Sequence, residues 1–385
     1  MVLMKGLELN SVQLSEQAEQ LRQEVRLFLQ KELEEGNFEP HCDSWLSKAD
    51  PEFSRKLGEK GWLGMTWPKQ YGGSERSALE RYVVTEELLA FGAPVAAHWF
   101  ADRQSGPLLL KYGTEEQRKK ILPGIVRGEI YFAIGLSEPN TGSDLASIST
   151  TAKKVDGGWL LNGSKVWTSG AHYSHYMVTL CRTAAKTDKK HDGLSQLLVD
   201  LSADGVTIRP IRLMTGEHHF NEVILEDVFI PDDMAIGNIG DGWKQSMAEL
   251  AYERSGPERF LSTFPLFTEL IRVLQQRPSS ETANIAIGQL VARLTTLREM
   301  SLGVAGLLEQ GVTPEITAAL VKDLGTHFES QIGEVARLLV SAGDSVSSIY
   351  KSMLATAILH SPGYTLRGGT TEILRGIIAK GVGIR

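Results

Sequence analysis

The sequence predicts an α+β protein in which two helical regions flank a strand-rich middle, on three observations. Apolar residues recur at helical spacing from the N-terminus to about residue 130. Short β-rich runs broken by Gly, Pro, Asn and Asp occupy 131–236. Long amphipathic stretches resume at 237 and continue to the C-terminus. The expected division is a helical domain at 1–130, a β-barrel or sandwich domain at 131–236 and a helical bundle domain at 237–385.

In the first region Leu14, Ala18, Leu21, Val25 and Phe28 share a helical face. Asp50-Pro51 offers an N-cap followed by proline at the first helical position, where its missing N–H is not needed. Leu79, Tyr82, Val83, Glu87 and Leu88 mark another helix, ended near Gly92. Thr114-Glu115-Glu116-Gln117 is a capping box. The glycines at 61–64 and 72–73 mark loops.

The middle region predicts strands over Tyr131–Leu136, Trp159–Leu161, Lys165–Thr168, Tyr176–Cys181, Leu197–Leu201, Val206–Ile211 and Glu222–Ile230. Asp156-Gly157-Gly158 and Asn162-Gly163 read as hairpin turns. Pro231 marks an exit. Beyond Gly242, Pro257 and Pro265 limit or kink the first helix. Amphipathic runs at 281–310 and 313–342, joined by Gly311, predict antiparallel bundle helices.

A chain of 385 residues with 42% hydrophobic and 23% charged content has the balance of a soluble globular protein. Its net charge of −7, without a long basic run, argues against nucleic acid as a partner. Cys42 and Cys181 are too few for a disulfide framework or a Cys-x-x-Cys metal site, and no metal site is expected. No apolar stretch approaches the roughly 20 residues of a membrane span. The opening MVLMKGLELN lacks a leader or transit pattern, so a cytoplasmic protein is expected.

Two segments carry the chemistry. Trp167-Thr168-Ser169 places an aromatic ring beside small hydroxyls, a combination able to flank an isoalloxazine and hydrogen-bond its N5 and O4 edge. The turn-rich run Ser137-Glu138-Pro139-Asn140-Thr141-Gly142-Ser143-Asp144 can bring backbone N–H groups and hydroxyls to a pyrophosphate. Read without a ligand, both are loops of a β-rich domain, and Trp167 is one of its core residues. The glycine-rich Gly237–Gly242 lacks the Gly-x-Gly-x-x-Gly order of a Rossmann turn. Asn162-Gly163-Ser164-Lys165 reads as a turn, not a phosphate loop. His218 and His219 point to different sides of the chain and His360 reads as a packing residue.

Over nearly its full length the chain resembles the acyl-CoA dehydrogenases. The landmarks are GWLGMTWPKQYGG at 61–73, KYGTEEQRKKILPGIVRGE at 111–129, SEPNTGSD at 137–144, LNGSKVWTSG at 161–170, EVILEDVFIPDDMAIG at 222–237 and GGTTEILRGIIA at 368–379. The resemblance implies an N-terminal helical domain, a middle β domain and a C-terminal four-helix bundle. It implies FAD as cofactor and an acyl-CoA thioester as substrate in lipid catabolism. The product would be the 2-enoyl-CoA, with a base taking the Cα proton while hydride passes from Cβ to flavin N5. Electrons would leave to an electron-transferring flavoprotein, and the chain would assemble as a homo-oligomer (dimer or tetramer) or as a heteromer with a related chain.

The commonest family base is a glutamate just before Gly-Thr in the C-terminal motif. This sequence has Gly368 there, in Arg367-Gly368-Gly369-Thr370, and glycine cannot abstract a proton. Family members similar to isovaleryl-CoA and long-chain dehydrogenases take the base from the first bundle helix, just before an arginine. The matching pair is Glu253-Arg254, which implies Glu253 as base, with Glu249 and Glu258 as rivals. Alternatively Glu253 is a surface glutamate paired with a basic neighbour. A thioester α-proton is a weak acid, so its removal needs a dehydrated carboxylate and a polarised carbonyl.

By the same resemblance Leu136, Ser137, Gly142 and Ser143 line the flavin or its pyrophosphate, with Ser143 also facing substrate. Trp167, Thr168 and Ser169 flank the ring, and Thr168 stands where an apolar residue is usual. Thr370, Thr371 and Glu372 lie near the phosphates and adenosine. Arg254, Gly368 and Gly369 contact substrate. Two departures appear. Arg277-Pro278-Ser279-Ser280 replaces an Arg-x-x-Phe-Gly segment that reaches FAD across a dimer, and Ser341–Ser345 replaces a Gln-x-x-Gly-Gly-x-Gly stretch. Two other readings stay open: a non-catalytic partner subunit, and a flavin-dependent monooxygenase on the same scaffold. A base moved to the bundle helix frees room near Gly368 and favours branched, cyclic or long acyl groups.

Overall fold

The computed structural model describes residues 7–384, apart from Lys186, Arg254, Ser255, Thr313 and Ala342 and the side chains of 250–253. Helices α1 (Glu16–Glu34), α2 (Ser44–Ser47), α3 (Pro51–Glu59), α4 (Ala78–Ala90), α5 (Ala96–Phe100), α6 (Gly106–Tyr112) and α7 (Glu115–Val126) come first. Strands β1 (Phe132–Gly135), β2 (Thr151–Val155), β3 (Gly158–Ser169), β4 (Tyr176–Arg182), β5 (Leu194–Asp200), β6 (Val206–Arg212) and β7 (His218–Pro231) follow. Helices α8 (Gly242–Glu253), α9 (Phe264–Gln275), α10 (Glu281–Glu309), α11 (Glu315–Leu339), α12 (Ser348–Tyr364) and α13 (Thr371–Gly381) complete the chain. The predicted order of helices, strands and helices holds.

The chain forms two compact units, one of Ala49–Glu75 with Val95–Tyr252, the other of Met1–Lys48, Arg76–Pro94 and Glu253–Arg385. In the first, the sheet runs β1-β4-β2-β3-β7-β6, with β5 paired to β4. β1 lies parallel to β4, and β3 and β7 form a long antiparallel pair. Inward residues of the strands, among them Ala133, Leu161, Val178, Leu198 and Val223, pack with Ile121, Leu122 and Ile125 of α7. The expected caps form: Asp50 Oδ1 accepts from Glu52 and Phe53 N–H, and Thr114 and Gln117 bond reciprocally.

Three local expectations change. Asn162-Gly163 is no hairpin turn. β3 runs straight through it, and β7 carries an extra residue there, because Leu161 and Gly163 pair with Val228 and Leu225. The Asn162 side chain brackets that bulge through Asp227, whose φ of 50° marks the kink. Strand β2 was not expected, since its Thr-Ala-Lys-Lys-Val has one buried residue. Pro265 opens α9 instead of kinking a helix.

In the second unit α11 is the central bundle helix, packed by α9, α10, α12 and α13. α1, α4 and α10 are joined by buried charges. Arg22 Nη1 lies 2.7 and 2.6 Å from Glu86 and Glu87, and Arg298 Nε lies 2.7 Å from Glu86.

Candidate functional site

A single inserted residue turns Trp167 outward. Inward positions of β3 include Trp159, Leu161 and Lys165, as strand alternation demands. Between Lys165 and Thr168, β3 advances three residues while its partner advances from Val223 to Asn221, so the alternation flips. Thr168 is consequently buried, and Trp167 is 57% exposed. Trp167 takes φ of 60°, a left-handed conformation that costs an L-residue roughly 1–2 kcal/mol. Such strain collects at binding sites. The core reading of Trp167 therefore fails: its indole stands on the surface, held edge-on by Phe220 at 5.8 Å between centroids.

Thr168 is fixed from behind. Its carbonyl accepts from Asn221 Nδ2 at 2.9 Å, and Asn221 Nδ2 also donates to His172 Nδ1 at 3.2 Å. Asn221 Oδ1 lies 2.7 Å from His218 Nε2, and the two imidazoles stack at 3.9 Å. Partial burial, and then His218, push His172 down to about 4, so it stays neutral at pH 7. His218 and His219 separate as expected, since His219 lies 3.2 Å from Glu217 instead. The Thr168 hydroxyl is buried without a hydrogen-bond partner among the described residues.

The SEPNTGSD run leaves β1 and is tied to β3. Ser137 O accepts from Val166 N at 2.9 Å, and Leu136 O accepts from Lys165 Nζ at 3.2 Å. Glu138 and Thr141 exchange backbone hydrogen bonds around Pro139-Asn140. The tip is open: Gly142 and Ser143 are exposed, and a Cβ on Gly142 would meet nothing within 4 Å. Thr141 Oγ1 is buried and has no hydrogen-bond partner among the described residues. Sequence reasoning missed Lys165, Glu138, Asn221 and His172. The available signal was a lysine at an inward strand position.

In the other unit Gly368 and Gly369 both have positive φ, 67° and 101°, between α12 and α13. Lys322 Nζ donates to Gly369 O at 2.7 Å. Thr370 caps α13, accepting from Ile373 N–H, so Thr370, Thr371 and Glu372 come together at a helix start. Arg367 anchors the turn: it donates to Asp43 at 2.7 Å and lies over the rings of Trp45 and Tyr364 at 4.5 and 4.9 Å. His360 is no mere packing residue, because its Nδ1 donates to the same Asp43 oxygen. Glu258 is buried in a short 3₁₀ turn.

Glu253 ends α8, but its side chain and all of Arg254 lie outside the described residues. One turn earlier Glu249 is buried against β5, where Gln196 Nε2 donates to it at 3.3 Å. The start of α8 presses on the same strand: a Cβ on Gly242 would stand 2.6 Å from Ser195 Cα. The two sequence departures meet each other. Arg277 Nη1 lies 3.1 Å from Asp344 Oδ2, which also accepts from Ser341 N–H.

These residues fit a flavin nucleotide. An outward indole, unpartnered buried hydroxyls on Thr168 and Thr141 and open backbone at Gly142 are what ring and pyrophosphate require. Fold and site together define a flavin-dependent oxidoreductase. Models of the N-terminal, middle and C-terminal domains of acyl-CoA dehydrogenase match residues 15–129, 133–228 and 240–383. Acyl-CoA dehydrogenase IpdE1 of Mycolicibacterium smegmatis is 34% identical over 348 residues, 86% of each chain. FadE34 of Mycobacterium tuberculosis is 33% identical over 86% of this chain, which spans about half (46%) of FadE34. Among solved structures, a Tcur3481-Tcur3483 steroid ACAD matches 97% of this chain and 99% of its own, with 28% identity and a TM-score of 0.86. The ChsE4-ChsE5 complex from Mycobacterium tuberculosis matches 96% and 98%, with 27% identity and a TM-score of 0.79. The chain belongs to the acyl-CoA dehydrogenase family, FAD-dependent oxidoreductases acting on acyl-CoA. Among the described residues no helix is long and apolar enough to cross a membrane.

Proposed function

We propose that the chain carries out α,β-dehydrogenation of an acyl-CoA thioester to the 2-enoyl-CoA, with Glu253 as the base. The observation that carries this reading is the strained, outward Trp167 beside the buried Thr168 hydroxyl, which has no hydrogen-bond partner among the described residues. Leu136, Ser137, Gly142, Ser143 and Trp167–Ser169 are assigned to the flavin ring and its pyrophosphate, and Thr370, Thr371 and Glu372 to cofactor phosphates and adenosine. FAD, when bound, supplies the acceptor for the Cβ hydride.

Gly368 brings no carboxyl, so the proton goes to a group on another element. Helical spacing sets Glu253 one turn beyond the buried Glu249, at the end of α8. Burial raises a carboxylate's basicity, as removal of a thioester α-proton requires. Arg254 orients that base or holds substrate, and the Gly368 N–H donates to the thioester carbonyl beside Gly369. A glycine turn in place of a glutamate leaves room for a branched, cyclic or long acyl group. The steroid ACAD likeness supports a cyclic one. An electron-transferring flavoprotein takes the electrons, and the setting is cytoplasmic lipid catabolism.

A visible spectrum of the purified chain tests this, followed by bleaching with a panel of acyl-CoAs. Flavin absorbance should bleach with branched, cyclic or long thioesters, and Glu253→Gln should slow bleaching at least about a hundredfold, the usual scale of general-base loss. Full-speed bleaching by Glu253→Gln would remove Glu253 from the mechanism. A second reading, a non-catalytic partner subunit, is favoured by the Arg277–Asp344 pair. It engages the arginine that family members extend across a dimer, and the ChsE4-ChsE5 complex pairs two chains. That reading expects a colourless chain that gains flavin only with its partner.

A further inference from the structure

We infer that Lys165 and Glu138 are a positioning pair that sets the conformation of the 137–149 cofactor loop, an inference that rests on the flavin site proposed above. Lys165 is fully buried at an inward position of β3, on a core face that includes Leu161 of the same strand and Ala133, Cys181 and Val223 of β1, β4 and β7. Burying an ammonium there is costly unless it is paired and hydrogen-bonded. It is both: Nζ lies 2.8 Å from Glu138 Oε1 and donates to Leu136 O. The fold makes room for the stem, because a Cβ on Gly135 would stand 3.2 Å from Lys165 Cγ and 2.8 Å from Met177 Sδ.

The carboxylate reaches both ends of the loop. Oε1 also accepts from Thr150 N–H at 2.9 Å, and Oε2 accepts from Ser149 N–H and Oγ at 2.6 and 2.7 Å. One side chain thus joins residue 138 to residues 149 and 150, and through Lys165 to the strand that carries Trp167. Between these ends Pro139, Asn140 and Gly142–Asp144 are exposed, while Leu145 and Ile148 pack in a buried cluster with Leu180 and Leu194. A methionine–leucine pair would fill similar volume without the charge cost, and such exchanges are often neutral or stabilising. What the ions add is direction: three donors at residues 149 and 150 and one on β3 hold the carboxylate of residue 138 in place.

Amide hydrogen exchange on the full-length chain, with and without FAD, tests this in wild type and in the Lys165→Met/Glu138→Leu double variant. Exchange across 139–148 should rise about tenfold or more in the double variant, while peptides from β4 and β5 keep their protection. FAD should protect 139–148 in wild type and much less in the variant. Wild-type exchange in the variant's loop, with its sheet intact, would overturn the inference. Should the double variant not fold, Glu138→Gln, which keeps shape and halves the acceptor capacity, carries the same readout. If FAD leaves wild-type 139–148 unprotected, the flavin assignment fails, and the comparison without FAD still decides the pair.

Discussion

Two buried carboxylate clusters hold two loops, and they are built in opposite ways. Around Glu138 each carboxylate oxygen accepts two donors, and the network closes on Lys165. Around the Gly368 turn, Asp43 Oδ2 accepts from Arg367 and His360, while Asp43 Oδ1, Glu329 Oε2, Arg367 Nε and Tyr364 Oη have no hydrogen-bond partner among the described residues. Burial pushes Glu138 up, but Lys165 and the Thr150 and Ser149 donors outweigh it and bring it to about 2. Burial raises Glu329 to about 7, because Arg367 and Ser262 only partly offset it. Asp43 lies well below the carboxylate range, since Arg367 and His360 outweigh its burial. A closed network fixes one geometry at any ordinary pH. An open one contains a group that changes charge near neutrality.

Breaking the closed network should have the largest effect. Lys165→Met alone leaves a buried carboxylate, and Glu138→Leu alone leaves a buried ammonium. Each should cost about 3–5 kcal/mol in urea unfolding, and the double variant much less than the sum. Additive losses would mean that the two side chains are not coupled.

The open cluster predicts a pH effect of smaller size. Folded Glu329 keeps its proton up to about 7, against an ordinary value of 4.5. Between those values the unfolded chain releases the proton first, so stability falls as pH rises and levels off above the upper value. Glu329→Gln should remove that slope and gain about 3 kcal/mol at pH 8. Glu138 contributes in the opposite sense: its stabilisation is present above 4.5 and is lost as pH falls through about 2. A Glu329→Gln variant with the wild-type pH profile would place the titration elsewhere.

Much of this was legible in the sequence. The caps at Asp50 and Thr114, the strands from Tyr176 and Val206, and the long bundle helices follow from local residue pattern, which the fold does not override. What could not be read lies in strand register. The bulges opposite Asn162 and at Trp167 depend on how β3 meets β7, a pairing that residues of β3 alone do not encode. Alternation alone would place Trp167 inward with Lys165, and the inserted residue reverses it. The role of Lys165, at the start of an expected strand and the end of an expected turn, was likewise hidden, because its partner Glu138 lies 27 residues away. Arg277 and Asp344 looked like separate losses and became one ion pair, 67 residues apart.

The bulge supplies the finest test of whether the flavin-side region is built for ligand or for fold. Trp167 holds a left-handed backbone with its ring exposed, so its side chain contributes little beyond the edge contact with Phe220. Asparagine tolerates that backbone better than any aromatic residue. Trp167→Asn should therefore leave the urea midpoint nearly unchanged, the lost ring contact of roughly 0.5–1.5 kcal/mol being offset by relieved strain of similar size. Flavin affinity should fall about tenfold or more, since one stacked aromatic face commonly contributes roughly 1–2 kcal/mol to a bound planar ring. A variant that lost several kcal/mol of stability and kept its flavin would show the reverse. Trp167 would then belong to the fold, and the closed cluster beneath it would brace a structural loop.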